Sequence, residues 1–126
     1  MSAQSIRLNT TASNLANAGS ISGSESKAYR PRHPVFEAKL LDASSDMSSA
    51  GMGVRVTGIV EDLAPLIPEY SPNHPSANKE GYVFRSPVNT VQEMADMIES
   101  SRSYQINVEV LETAKTLIEK TLSLGQ

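Results

Sequence analysis

All seven prolines of this 126-residue chain fall between Pro31 and Pro87, and no other feature restricts the architecture as much. Proline fixes φ and removes a backbone donor, so it is excluded from helix interiors and central strands. Two ends are left that carry neither proline nor glycine, Met1 to Ala18 and Thr90 to Leu124, enclosing a punctuated middle. The predicted class is α+β: long N- and C-terminal helices pairing as an antiparallel coiled coil, with a small irregular β-rich middle. Residues 1–18 and 90–126 then make one helical terminal domain, and residues 19–89 a β-containing middle with an extended proline-rich arm.

The C-terminal run sets the longer helix. Met94, Met97, Ser101, Tyr104, Val108, Leu111, Lys115, Ile118 and Leu122 recur at alternating spacings of three and four, and all but Ser101 and Lys115 are apolar or aromatic. That spacing is a narrow seam of the coiled-coil kind. Thr90 with Glu93 three residues on predicts a capping box. Glu93, Asp96 and Glu99 suit the positive N-terminal end of the helix dipole, Lys120 suits the other end, and Gly125 offers a left-handed stop.

The N-terminal run is the natural partner. Met1, Leu8, Ala12 and Leu15 recur at helical spacing, but the many Asn and Thr residues are mediocre helix formers, so this helix needs packing to persist. Its asparagines have two readings, as solvated or capping positions and as polar register-setters between helices. The candidate seam comprises Leu8, Ala12, Asn14, Leu15 and Asn17 on this side, and Met94, Met97, Tyr104, Val108, Leu111, Ile118 and Leu122 on the other.

Gly19 to Ser26 is a flexible break. Ala28 to Leu41 reads as an edge strand interrupted by Pro31 and Pro34. Asp42 to Gly53 carries too little apolar surface to offset chain entropy and reads as a mobile loop. Val54 to Glu61 is the strongest strand, with Val54, Val56 and Val60 at even spacing and Gly58 marking a bulge. The segment APLIPEYSPNHPSA reads as an extended arm laid over a neighbour, and Gly81 to Arg85 as a short strand. With two phenylalanines, four tyrosines and no tryptophan, a large closed core is not expected, and the chain must bury surface against something else.

Chemistry finds no foothold. His33 and His74 without any cysteine fall short of a zinc ligand set. There is no glycine-rich phosphate loop and no nucleophile elbow, and the helical carboxylates read as a solvated face. No catalytic, cofactor-binding or metal site is predicted, and no cofactor or small-molecule substrate. A net charge of -3 without a basic stripe argues against nucleic acid. No apolar run approaches the roughly 20 residues needed to span a bilayer, and no signal-peptide block opens the chain. By those signals alone the compartment reads as cytoplasmic.

Both ends nonetheless resemble the bacterial flagellar rod and hook family. The family's ASN-x-x-NA core is matched by Ala12, Ser13, Asn14, Leu15, Ala16, Asn17 and Ala18, and its C-terminal helix by Ser103, Tyr104, Gln105, Asn107, Val110 and Thr113. In the middle, Tyr70, Pro72, Asn73, His74, Pro75, Ala77, Gly81, Tyr82 and Val83 are similar to a proximal-rod member. The resemblance implies a structural subunit of the proximal rod of the basal body, not an enzyme, assembling helically to transmit torque across the periplasm. Its implied partners are further copies of itself, other flagellar rod proteins and the flagellar type III export apparatus, which passes such subunits without a cleaved signal peptide. The cytoplasmic reading is then replaced by the periplasmic rod. Members usually carry roughly a dozen more residues before the Ser-Ala-Gln segment, so the C-terminal helix, roughly 50 Å long at ~1.5 Å per residue, is expected to outrun a partner of about 27 Å. Another rod or hook subunit is the alternative within the family, and a soluble coiled-coil adaptor or export chaperone the alternative outside it.

Overall fold

The computed structural model describes residues 2–39 and 53–125. Two helices and five strands follow in the order α1 (Ser2–Ala16), β1 (Ile21–Ser22), β2 (Arg32–Lys39), β3 (Gly53–Glu61), β4 (Ile67–Tyr70), β5 (Tyr82–Arg85) and α2 (Thr90–Leu124). The α+β class holds. The expected mobile loop at 42–53 lies, apart from Gly53, outside the described residues.

β2 and β3 form an antiparallel two-stranded ribbon. Its register steps between Val35, opposite Gly58, and Phe36, opposite Val56, leaving Thr57 as the extra residue of a bulge beside the glycine that signals it. The Thr57 hydroxyl donates to the Val35 carbonyl at 3.2 Å, which ties the bulged residue to the ladder. The step changes which side chains share a face. Val54 and Val56 would lie opposite Ile59 on a regular strand, but the bulge brings all three to one side and sends Val60 to the other, opposite His33. The even spacing of Val54, Val56 and Val60 therefore did not mark a common face.

A second sheet has the order β1-β5-β4, with β4 and β1 both antiparallel to β5. Four of the fourteen residues of the expected proline-rich arm are thus a strand, Ile67–Tyr70, and the chain after it makes a closed loop back to β5. The loop is held by the Ser71 amide on the Gly81 carbonyl at 2.9 Å and by the Asn78 side chain, which accepts from the amides of Glu80 and Tyr82. Gly81 has φ +83, and a Cβ there would meet the Tyr70 ring. Tyr70 and Tyr82 pack edge to face with centroids 5.3 Å apart. Gly23 passes so close to the Ser76 carbonyl that a Cβ has no room. Besides Pro31, Val83 is the one buried apolar side chain among the described residues, in keeping with the expected absence of a large core.

The helical ends correct the sequence reading most. α2 packs against α1 and no other element, and the contact is not an antiparallel coiled coil. The buried side chains of the two helices are polar, Thr10, Thr11 and Asn14 on α1 and Glu93 and Ser100 on α2, and every residue from Glu109 to Gly125 is exposed. A coiled coil needs apolar knobs from both helices in a continuous seam; here the fully buried side chains of both helices are polar, and Leu111, Ile118 and Leu122 of the α2 seam are exposed. The cap also differs. Asn89, not Thr90, is the N-cap, its Oδ1 accepting from the amides of Val91 and Gln92 at 3.1 and 3.3 Å, while Glu93 is drawn elsewhere. Gly125 stops α2 at φ -89, outside the left-handed region.

Candidate assembly surface

One carboxamide ties α1 to both β2 and α2. Asn14, 1% exposed, donates from Nδ2 to the Arg32 carbonyl at 2.9 Å and to Glu93 Oε1 at 3.1 Å. Its Oδ1 accepts from the Arg32 amide and the Tyr29 hydroxyl, both at 2.9 Å. Every donor and acceptor position of the side chain is filled. Towards Arg32 it acts as a neighbouring strand would, pairing both main-chain groups of the first residue of β2. Towards Glu93 it fixes the first turn of α2. Burial pushes the Glu93 carboxyl above its ordinary value; the Asn14 bond and the His33 charge pull it down, and Asp96 pushes it up. One turn along, Arg7 Nη2 reaches Asp96 Oδ1 at 3.4 Å and Glu99 Oε2 at 3.2 Å. The acidic start of α2, expected as a solvated face, is in this part the landing site of α1.

The two asparagines of the N-terminal motif separate cleanly. Asn14 is the register-setter, whereas Asn17 makes the ordinary local bond of a helix end, donating to the Ser13 carbonyl at 2.8 Å. Of the other seam candidates, Leu8, Leu15, Met97 and Val108 are half-buried; Ala12, Met94, Tyr104, Leu111, Ile118 and Leu122 are exposed. The histidines do not converge. His33 Nε2 lies 3.9 Å from Asp62, and His74 Nδ1 accepts the Ser76 amide.

At about 100° per residue, the α2 face that carries Glu93, Met97, Ser100 and Asn107 continues through Leu111, Ile118 and Leu122. On that face the fully buried residues beside α1 are the polar Glu93 and Ser100, with Met97 half-buried between them. Further along, Leu111, Ile118 and Leu122 are exposed with no cover among the described residues. A second stripe, Ile106, Val110, Leu117 and Leu124, runs beside it and is equally exposed. Sequence reading took only the first. The signal for the second was present in the spacing of four and then seven. A helix apolar on two sides belongs inside a larger structure.

Comparison with known proteins decides which. The family model "Flagella basal body rod protein" matches residues 1–19, and "Flagellar basal body rod FlgEFG protein C-terminal" matches residues 79–124. The flagellar basal-body rod protein FlgC of Salmonella typhimurium is 44% identical over 126 residues, covering 100% of this chain and 90% of that protein. The FlgC of Yersinia enterocolitica is 46% identical with the same coverage, and that of Bacillus subtilis 35% identical over 138 residues, with 91% of that protein covered. The chain belongs to the FlgC family of flagellar basal-body rod proteins. It is a structural subunit of the basal-body rod, associated there with other rod proteins. In FlgC terms, the first match covers α1 and the second covers β5 and α2, so the Asn14 junction is a place where the N- and C-terminal signatures meet.

Proposed function

We propose that this chain is a proximal-rod subunit whose terminal segments, residues 1–18 and 90–126, form the inner layer of the rod, with residues 19–89 outside it. In this reading the rod transmits torque because its subunits are stiffly packed, and the chain's work is mechanical rather than catalytic. The subunit is delivered by the flagellar type III export apparatus without a cleaved signal peptide and crosses the periplasm as part of the rod. The observation that carries the reading is the bare distal part of α2, where Leu111, Ile118 and Leu122 are exposed with no cover among the described residues. Isolated in water, those residues forgo the roughly 1.5–3 kcal/mol that full burial of each would contribute. Neighbouring subunits provide that burial, through head-to-tail contacts that propagate a helical filament.

The test is substitution on the distal stripe, Leu111→Asp or Ile118→Asp, in a strain relying on this chain. Each is expected to abolish incorporation into isolated basal bodies and motility, while the purified variant keeps the wild-type urea midpoint, because neither side chain is packed within the subunit. Normal motility with both substitutions overturns the reading.

A further inference from the structure

The bulge at Thr57 gives the β2–β3 ribbon one continuous apolar face, with Pro34 opposite Ile59, Phe36 opposite Val56 and Ala38 opposite Val54. Only its base is used within the chain. There α1 lies across it, and a groove lined by Ile6, Asn9, Thr10, Ser13, Arg32 and Ile59 marks the contact. Beyond α1 the face is open, with Phe36 42% and Val54 61% exposed. The opposite face is interrupted by the Glu37–Arg55 ion pair and by Gly58.

We propose that this outer half of the ribbon face docks the distal part of α2 from a second copy of the chain. Three observations select that occupant. The base of the same face already takes a helix, so the docking surface continues an interface the fold itself uses. The helix surface left bare among the described residues is distal α2, with its stripes through Leu111 and Ile118 and through Val110 and Leu117. Within one chain the two never meet, since α2 is continuous over Thr90–Leu124 and touches neither strand. Two complementary surfaces that cannot pair in one molecule pair between molecules, and because they are different surfaces the contact is heterologous and extends rather than closes. Two stripes on α2 also leave one for the ribbon and one for a further neighbour. The inference rests on the reading of distal α2 as a subunit contact.

The test is site-specific photo-crosslinking in assembled basal bodies, with p-benzoylphenylalanine placed singly at Phe36, Val54, Val35 or Ile118 and each labelled chain produced beside the unlabelled one so that rods assemble. Phe36 and Val54 probes are expected to give a product of twice the chain mass, its linked peptide falling within residues 103–124, with Val35 on the opposite face at background. Linkage to a different basal-body protein, to another segment of this chain, or equally from Val35 overturns the proposal. Silence from Phe36 and Val54 with a product from Ile118 overturns the ribbon contact alone and leaves the subunit reading standing. Silence from Ile118 as well removes that reading and this inference with it.

Discussion

Replacing Asn14 by alanine removes four hydrogen bonds at once and leaves the Arg32 amide and carbonyl and the Glu93 carboxylate facing an apolar methyl. Each buried polar group so stranded costs about 1–3 kcal/mol, so Asn14→Ala should lower stability by about 2–3 kcal/mol in urea unfolding even after some groups find water. Asn17→Ala removes one local bond at a helix end and should stay within about 0.5 kcal/mol. Equal effects from the two would refute the division of labour between them. Glu93 adds a pH dependence whose sign follows from its raised carboxyl. A carboxyl that binds its proton more tightly when folded stabilises the fold below its unfolded value, near 4.5, and that contribution is lost as pH rises through the higher folded value. Glu93→Gln keeps an acceptor for Asn14 Nδ2 and cannot titrate. The stability of this variant relative to wild type should therefore rise from acid to neutral pH and then level off. A difference between the two urea-midpoint curves that is flat, or that falls over this range, contradicts the assignment. The groups facing Glu93 are Asn14, His33 and Asp96, and all three are kept in the comparison.

At the scale of elements, what the sequence disclosed follows from what periodicity can and cannot encode. Proline placement and 3.6-residue spacing predicted both helices, and β-branched enrichment with Gly58 predicted β3 and its bulge. Periodicity reports that a face is apolar; it does not report which face meets which. The buried side chains of α1 are polar, so a search by apolar spacing selected Leu8, Ala12 and Leu15; Asn14 was among the candidates as a polar register-setter, whereas Thr10 and Thr11 were missed. The capping box failed for a related reason. Thr90 and Glu93 have the right spacing, but Glu93 is engaged by Asn14 from 79 positions away in sequence, a long-range partner that a local motif cannot foresee. Asn89 then caps alone. Asn89→Ala should cost about 1 kcal/mol and Thr90→Ala much less, measured by urea unfolding of each purified variant. The reverse order would restore the box. Of the candidate surface, sequence marked one stripe of α2. The second stripe was present in the spacing but went unread, and the ribbon face was illegible because the bulge re-phases β3 in a way that only the pairing register reveals.

Taken as a whole molecule, the chain divides by what covers each part. The junction at Asn14 and the β5-centred sheet are satisfied internally, whereas α2 as a whole is about 50 Å long and its distal part lies beyond the reach of α1 at about 22 Å. Its residues after Glu109 have intrahelical hydrogen bonds but no tertiary packing, and most of the stability of helices in proteins comes from packing. In the dilute monomer, amide exchange should therefore be slowest around Val83, intermediate in α1 and the first turns of α2, and fastest over 109–124. Assembly should reverse the order for the last of these, because burial of both stripes between neighbours closes off the local openings through which those amides exchange. The two states are compared by mass spectrometry of the purified chain and of isolated basal bodies. Protection of 109–124 already in the monomer would mean that distal α2 stands on its own propensity and has no need of neighbours. Exchange of the same segment unchanged in the rod would mean that no neighbour covers it. Only a segment exposed in the subunit and protected in the rod fits the proposed reading, in which adjacent subunits cover the apolar stripes that distal α2 leaves bare among the described residues.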